Sequence, residues 1–351
     1  MIVTIVSFII VYTIIVLVHE GGHFLFSLLA NIQVLELGLG LGPRVMATMK
    51  NGTRYSLNLL PLGGYIRLAG MNPEEENELG DEAYPANLGY MAKGPFDKFK
   101  SVAGGPVMNI LFGFLAFLIL FSVVGTPTIS NQIGAITPNS PADRAGIKMG
   151  DTVSRMNGKP VKEMRDIIEY IHGHPGEKIM LGIARANQTY SIPVVPLLDP
   201  KLKVGLIGFT PKLAYQKAGI LSAIQKSIIQ TTSISIIIVS SIIGLITGKI
   251  SIFELAGPLG IARATGEYAK SSFPSLIQFM AFLSINLGVV NLLPIPALDG
   301  GRLVFIIIES IRGKAIDLKQ ENKIHSYGFI FLISLIVIVT AGDIFKIVFM
   351  R

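Results

Sequence analysis

Cysteine is missing from this chain altogether. Disulfides, thiolate metal sites and a cysteine nucleophile are thereby excluded, while redox compartment is left open. Charge is scarce as well: 15% of the 351 residues are charged, against 50% hydrophobic. A soluble chain of this length would form about two domains, but a mean hydropathy of +0.58 argues against a simply soluble protein. There is no basic run interleaved with aromatics, so the net charge of +7 does not point to nucleic acid. Positive loops that orient a membrane protein explain it better. The N-terminus also lacks the basic n-region and small-residue cleavage site of a signal peptide. Cleavage after its first apolar run would sever the motif described next, so that run is expected to be retained.

What the chain does contain is several hydrophobic runs near the roughly 20 residues that cross a bilayer. Ile2 to Val18 carry no charge, and His19-Glu20-Gly21-Gly22-His23 lies inside the same run, followed at once by Phe24, Leu25 and Phe26. Residues four apart share a helix face, so His19 and His23 can pinch one metal ion while Glu20 stands beside it to activate a water. Ionisable groups in a span cost about 2.5–3.5 kcal/mol each on insertion scales, so three together point to a functional site. The expected chemistry is hydrolysis at membrane depth.

The expected fold class is a polytopic α-helical membrane protein of about four transmembrane helices, with a membrane-associated β-hairpin and an inserted β-rich domain. The first span covers residues 1–30 and the hairpin and loop region 31–106, in which Thr53–Leu60 reads as a strand, Pro61–Gly64 as a turn and Tyr65–Leu68 as a returning strand. Glu74, Glu75, Glu76, Glu78, Asp81 and Glu82 read as a solvated loop. A second span occupies 107–125. Short β-like runs with Gly, Pro and Asn-Gly turns mark a β-rich module over 128–211, with a short amphipathic helix from Met164 to Ile171. Residues 275–311 form a third transmembrane segment and 326–349 a fourth. Arg44, Lys93, Lys98 and Lys100 flank the early spans, and Arg302, Arg312, Lys314, Lys319 and Lys323 follow the third. If both groups face the cytoplasm, an even number of spans separates them, so residues 212–274 are expected to be amphipathic and interfacial.

Catalytic zinc typically takes three protein ligands and leaves one position open. For the third, two carboxylates are candidates: Glu36, downstream as in gluzincins, and Asp299. The longer metzincin pattern fails, because Phe26 and Leu29 replace its glycine and third histidine. Asp299 is favoured. It follows a segment holding Asn286, Asn291, Pro294 and Pro296, where the helix must break, and broken backbone at membrane depth usually marks a site. Gly38-x-Gly40-x-Gly42 lacks the lysine of a phosphate loop. His172 and His174 read as a solvated turn and His325 as an interfacial side chain.

The intramembrane His-Glu-x-x-His, paired with Asn291-x-x-Pro294-x-Pro296-x-Leu298-Asp299-Gly300, resembles the site-2 protease family of intramembrane zinc metalloproteases. Further resemblance lies in Glu36–Arg44, Leu60–Tyr65, Ala103-Gly104-Gly105-Pro106-Val107-Met108-Asn109 and Gly257–Ala262, so it covers almost the whole chain. Gly21-Gly22 departs from the family, which commonly has a bulkier residue before the glycine. The resemblance implies that His19, His23 and Asp299 bind Zn2+, that Glu20 is the catalytic base, and that Asn291 and Asn286 hold the substrate backbone. It further implies that the hairpin pairs with an unwound substrate as an added strand. The module at 128–211 resembles a PDZ domain, and a single one places the chain with the shorter bacterial or plastid-type members. The implied function is zinc-dependent endoproteolysis of single-span membrane proteins in regulated intramembrane proteolysis. Substrates would be transmembrane remnants of the anti-sigma-factor kind, and leftover signal peptides. The implied location is the inner (plasma) membrane, with the PDZ domain on the extracytoplasmic side and the lipid bilayer, not nucleic acid, as partner. The alternative is a catalytically inactive membrane-anchored PDZ adaptor.

Overall fold

Helix α1 (Ile2–Leu29) has 28 residues, about 42 Å at 1.5 Å per residue, more than the ~30 Å hydrocarbon layer. It opens a computed structural model that describes residues 1–71, 84–186, 188–200, 202–217 and 219–349. The acidic stretch from Glu74 to Glu82 lies outside the described residues. The chain divides into two compact units, one built from 1–120 and 224–351 and the other from 121–223.

In the first unit, α1 is followed by strands β1 (Val34–Lys50) and β2 (Thr53–Leu68), which form a two-stranded sheet. Asn51 and Gly52 join them with φ of 53° and 75°, the left-handed pair that tight hairpins favour. The register departs from the expected hairpin. Residues 54–57 and 64–68 do not pair with each other; each pairs with 36–39 or 34–39 of β1, which runs between them. Residues 44–50 pair with 53–58 on the far side. The stretch 64–68 is therefore an edge.

Helix α2 (Pro95–Val123) holds Pro106 in its interior. In the second unit, β3 (Thr126–Ile136), a short helix α3 (Pro141–Arg144), β4 (Thr152–Met156), β5 (Lys159–Pro160), helix α4 (Met164–Gly173), β6 (Ile179–Arg185) and β7 (Gln188–Val194) follow in order. Small strands β8 (Leu197–Leu198) and β9 (Gly205–Leu206) precede β10 (Phe209–Gln216), and the main sheet runs β10-β3-β4-β6-β7, with β5 on β4. Met164, Ile167 and Ile171 line one face of α4 and are buried with Ile133, Val153 and Leu181, the pattern of an amphipathic helix closing a sheet. Asp151 receives Arg185 Nε and Nη2, both at 2.7 Å. Burial pushes the Asp151 carboxyl up, but Arg185 and the Lys148 amide hold it below the usual carboxylate range. The expected β-rich module is present, and its last strand runs beyond the expected boundary at 211, to Gln216.

The rest of the chain comprises α5 (Ile220–Ile246), α6 (Pro258–Ser271), α7 (Phe273–Asn291), α8 (Asp299–Arg312) and α9 (Leu318–Phe349), which from residue 224 onward belong to the first unit. Among the described residues five helices, α1, α2, α5, α7 and α9, are long and apolar enough to cross a membrane. That is one more than the expected four or so. The additional helix is α5, within the region the sequence reading treats as interfacial. Its 27 residues carry a Ser- and Thr-dotted apolar surface, so length and hydropathy alone admit a span that charge parity does not. Asp343 of α9, buried, accepts the Gly260 amide at 2.8 Å and so caps α6.

One ion pair fixes the geometry near α8. Lys98, 2% exposed on α2, donates to both Glu309 oxygens of α8 at 2.8 and 3.0 Å and lies over the Tyr90 ring. Removing one partner of a buried pair leaves the other charge uncompensated, at about 3–5 kcal/mol. Lys98→Met is expected to lower the unfolding midpoint in detergent markedly, whereas the Lys98→Met/Glu309→Leu double variant recovers most of the loss. Additive losses in the two single variants would refute the coupling.

Candidate metal centre

His19 and His23 sit on successive turns of α1 and are both buried. Gly22 lets α2 come close there. A Cβ on Gly22 would lie 2.8 Å from the Gly104 carbonyl carbon, and one on Gly104 would lie 2.7 Å from Gly22 O. The helix contact is thus made at Gly22, whereas Gly21, the residue that departs from the family pattern, faces open space. The close crossing puts backbone and side-chain groups of α2 behind both imidazoles. His23 Nδ1 donates to Ser101 O at 2.9 Å, and the Asn109 amide lies 3.3 Å from His19 Nδ1. Asn109 is fully buried and its Oδ1 has no partner. Turning that amide by half a rotation gives Oδ1 the His19 Nδ1–H as donor. Each ring then donates from Nδ1 and turns the Nε2 lone pair toward the same point, as metal-binding histidines do.

Asp299 completes this point from α8. Helix α7 ends at Asn291, and the chain runs non-helically to Leu298, with Ala297 at φ 75°. Asp299 Oδ2 lies 3.2 Å from His19 Nε2 and 3.4 Å from His23 Nε2, and the two Nε2 atoms are 3.2 Å apart. Two ligands about 2.1 Å from a tetrahedral zinc are about 3.4 Å apart. The donor set, two imidazoles and one carboxylate, fits zinc in kind and in spacing, and this trio is the metal-type cluster found among the described residues.

Glu36, the other candidate ligand, is engaged elsewhere. It is 1% exposed and receives Arg44 at 3.0 Å, Arg67 at 3.2 Å, Ser56 at 2.6 Å and Tyr65 at 2.9 Å, with Arg54 at 3.6 Å. Burial raises its carboxyl, but the hydroxyl donors and the Arg44 charge together hold it below the usual range. It is the electrostatic centre of the sheet.

A cavity of about 280 Å³ opens on the trio. Glu20 lines it, as do Gly64, Tyr65 and Ile66 of the β2 edge, Ala297, Leu298 and Arg302, and His325 of α9. Asn291 reaches the site through its amide, 3.4 Å from His19 Nε2. Asn286, half-buried on α7, is not among the residues lining the cavity. His325 corrects the sequence reading: it lies at the site, not at an unconnected interface. Ser101 and Asn109 were also missed, although a polar Asn109 within an apolar run was a visible signal.

Membrane-type helices that bring two histidines, a carboxylate and a neighbouring glutamate onto one cavity define a metallopeptidase built into the membrane. Residues 7–335 match the profile of peptidase family M50. The chain belongs to that family, the site-2 proteases. It is 31% identical to the regulator of sigma-W protease RasP of Bacillus subtilis, over 97% of this chain and 98% of that one. It is 32% identical to zinc metalloprotease RasP of Geobacillus kaustophilus, over 98% of each. The PDZ domain of an SdrC-like protein from Listeria innocua covers 26% of this chain and 99% of its own length, at 17% identity and a TM-score of 0.22. The protein is a multi-pass membrane zinc metalloendopeptidase. The alternative of an inactive adaptor falls with that membership.

Proposed function

We propose that this protease cuts single-span membrane proteins within or beside their membrane segment, with His19, His23 and Asp299 holding the zinc and Glu20 as base. The observation that carries the proposal is the shared cavity, where the three donor atoms, Glu20 and a strand edge meet. When bound, zinc supplies Lewis acidity that polarises a peptide carbonyl and acidifies water. Glu20 takes the proton of the attacking water and passes it to the leaving amine. The edge at 64–68 accepts the unwound substrate as an added strand, which exposes its peptide bonds. Asn291, beside His19, hydrogen-bonds the substrate backbone, and Asn286 on the same helix is the second candidate for that task.

The Lys98–Glu309 pair supports a reading of the orientation. It holds the start of α2 against the end of α8, which supports placing the basic residues beside them, Lys93, Lys98 and Lys100 with Arg312 and Lys314, at one end of the bundle. Helices α2 and α7 provide two crossings between them; a third, by α5, would separate them. This supports α5 as interfacial, the basic end as cytoplasmic, and the β-rich module as a PDZ domain on the extracytoplasmic side of the plasma membrane. There it screens substrates already trimmed by another protease, such as anti-sigma-factor remnants and leftover signal peptides.

The test is reconstitution in liposomes with a trimmed single-span substrate. Cleavage in or next to the span, abolished by a zinc chelator and restored by added zinc, is expected. Deleting residues 128–210 is expected to preserve or broaden cleavage. A zinc-loaded protein that leaves the trimmed substrate intact would overturn the proposal.

A further inference from the structure

His325 sits on α9, far in sequence from every residue so far assigned to the chemistry, yet it lines the same cavity. Gly328, one turn later on the same face, is where α9 meets the broken stretch before Asp299; a Cβ there would lie 2.5 Å from Pro296 Cβ. That approach brings His325 Nδ1 to the Ala297 amide, which donates to it at 2.9 Å. The Phe305 ring packs beside the imidazole, centroids 5.7 Å apart. A ring nitrogen that accepts an N–H carries no proton of its own, so the single N–H of this imidazole is on Nε2. Flipping the ring would put a carbon against the Ala297 amide and leave that donor unpaired. Nε2 is buried and has no hydrogen-bond partner. Of the four buried side-chain atoms without partners among the described residues, it is the one belonging to a residue of this cavity.

A buried donor without an acceptor is costly, about 1–3 kcal/mol, and active sites hold such donors where charge will appear during the reaction. Arg302, a cationic donor also on the cavity wall, is already directed at Glu321, at 3.6 Å, and at Met71 Sδ, at 2.9 Å. Peptide hydrolysis builds negative charge on the scissile carbonyl oxygen as water adds to the carbon. We propose that His325 Nε2–H donates a hydrogen bond to that oxygen and stabilises the charge it gains, making His325 a further catalytic residue. Its Nδ1, through Ala297, meanwhile holds the stretch that presents Asp299. The proposal rests on the assignment of His19, Glu20, His23 and Asp299 to hydrolysis.

Two isosteric substitutions separate the nitrogens. In His325→Asn the side-chain amide reaches the position of Nδ1 and keeps the Ala297 contact, but the Nε2–H donor is gone. In His325→Gln the terminal NH2 reaches the position of Nε2. With a fluorogenic single-span peptide in liposomes, His325→Asn is expected to lower kcat by about 100- to 1,000-fold, with KM within about twofold and zinc content unchanged. Its affinity for a phosphinic peptide, a mimic of the tetrahedral addition product, should fall in parallel with kcat/KM. His325→Gln should recover kcat to within about tenfold of the unmodified protein. Wild-type kcat in His325→Asn, or equal losses in both variants accompanied by zinc loss, would overturn the proposal, the latter assigning His325 to support of Asp299 alone. Turnover by Glu20→Gln at the unmodified rate would instead remove the hydrolytic assignment on which it rests, and the two failures are therefore distinct.

Discussion

Glu20→Gln is expected to reduce cleavage of a single-span substrate by at least about a thousandfold while zinc stays at one per chain. Glutamine keeps the volume of the side chain, so the packing of α1 against the β2 edge is preserved, but a neutral amide cannot take a proton from water. Positioned acid–base groups contribute about 100- to 10,000-fold, and Glu20 is asked to serve twice, at the attacking water and at the leaving amine. It lies outside the trio of donor atoms, which is why metal content should not change. Single-turnover cleavage paired with metal analysis of the same sample reads both quantities. Substantial residual cleavage would move the base elsewhere on the cavity wall.

Asp299→Ala is expected to release the metal. With one of three donors gone, affinity should fall by more than the roughly 10- to 100-fold that loss of an outer hydrogen-bond partner costs, and cleavage should drop to background after dialysis. Glu36→Gln is the informative counterpart, because Glu36 was the competing ligand. That variant should keep its zinc, since Glu36 is occupied by Arg44, Arg54, Arg67, Ser56 and Tyr65. It should instead loosen the sheet, whose three guanidinium groups lose their common carboxylate, as seen by faster proteolysis within residues 34–68. Full zinc in Asp299→Ala, or empty Glu36→Gln, would reverse the assignment of the third ligand.

The parts of this molecule that were legible in sequence are those governed by a local rule. The i, i+4 spacing of His19 and His23 needs only a helix, and Asn291 to Asp299 announces a break through its prolines. Asp299 could be favoured over Glu36 because a carboxylate after a broken span needs a partner. Partners set by helix crossing were harder to see. Nothing local links Ser101 to His23, or His325 to Ala297; those pairs exist because Gly104 and Gly328 admit close approach of whole helices. The sheet register was misread for a different reason. Asn51-Gly52 is a strong turn signal, and it moves the hairpin back so that β1 lies between the two stretches expected to pair. At helix α5 two sequence rules disagree, since length and hydropathy admit a crossing that charge parity does not.

The separation of the donor set along the chain bears on biosynthesis. His19 and His23 leave the ribosome early, whereas Asp299 emerges only after the whole module at 121–223 and the helices that follow it. A nascent chain therefore carries two imidazoles without their carboxylate through most of its translation, and it is no protease during that interval. The set is complete only once α8, which carries both Asp299 and the Lys98 partner Glu309, has been made. The order of synthesis thus leaves the set of three donor atoms incomplete until residue 299 has been made.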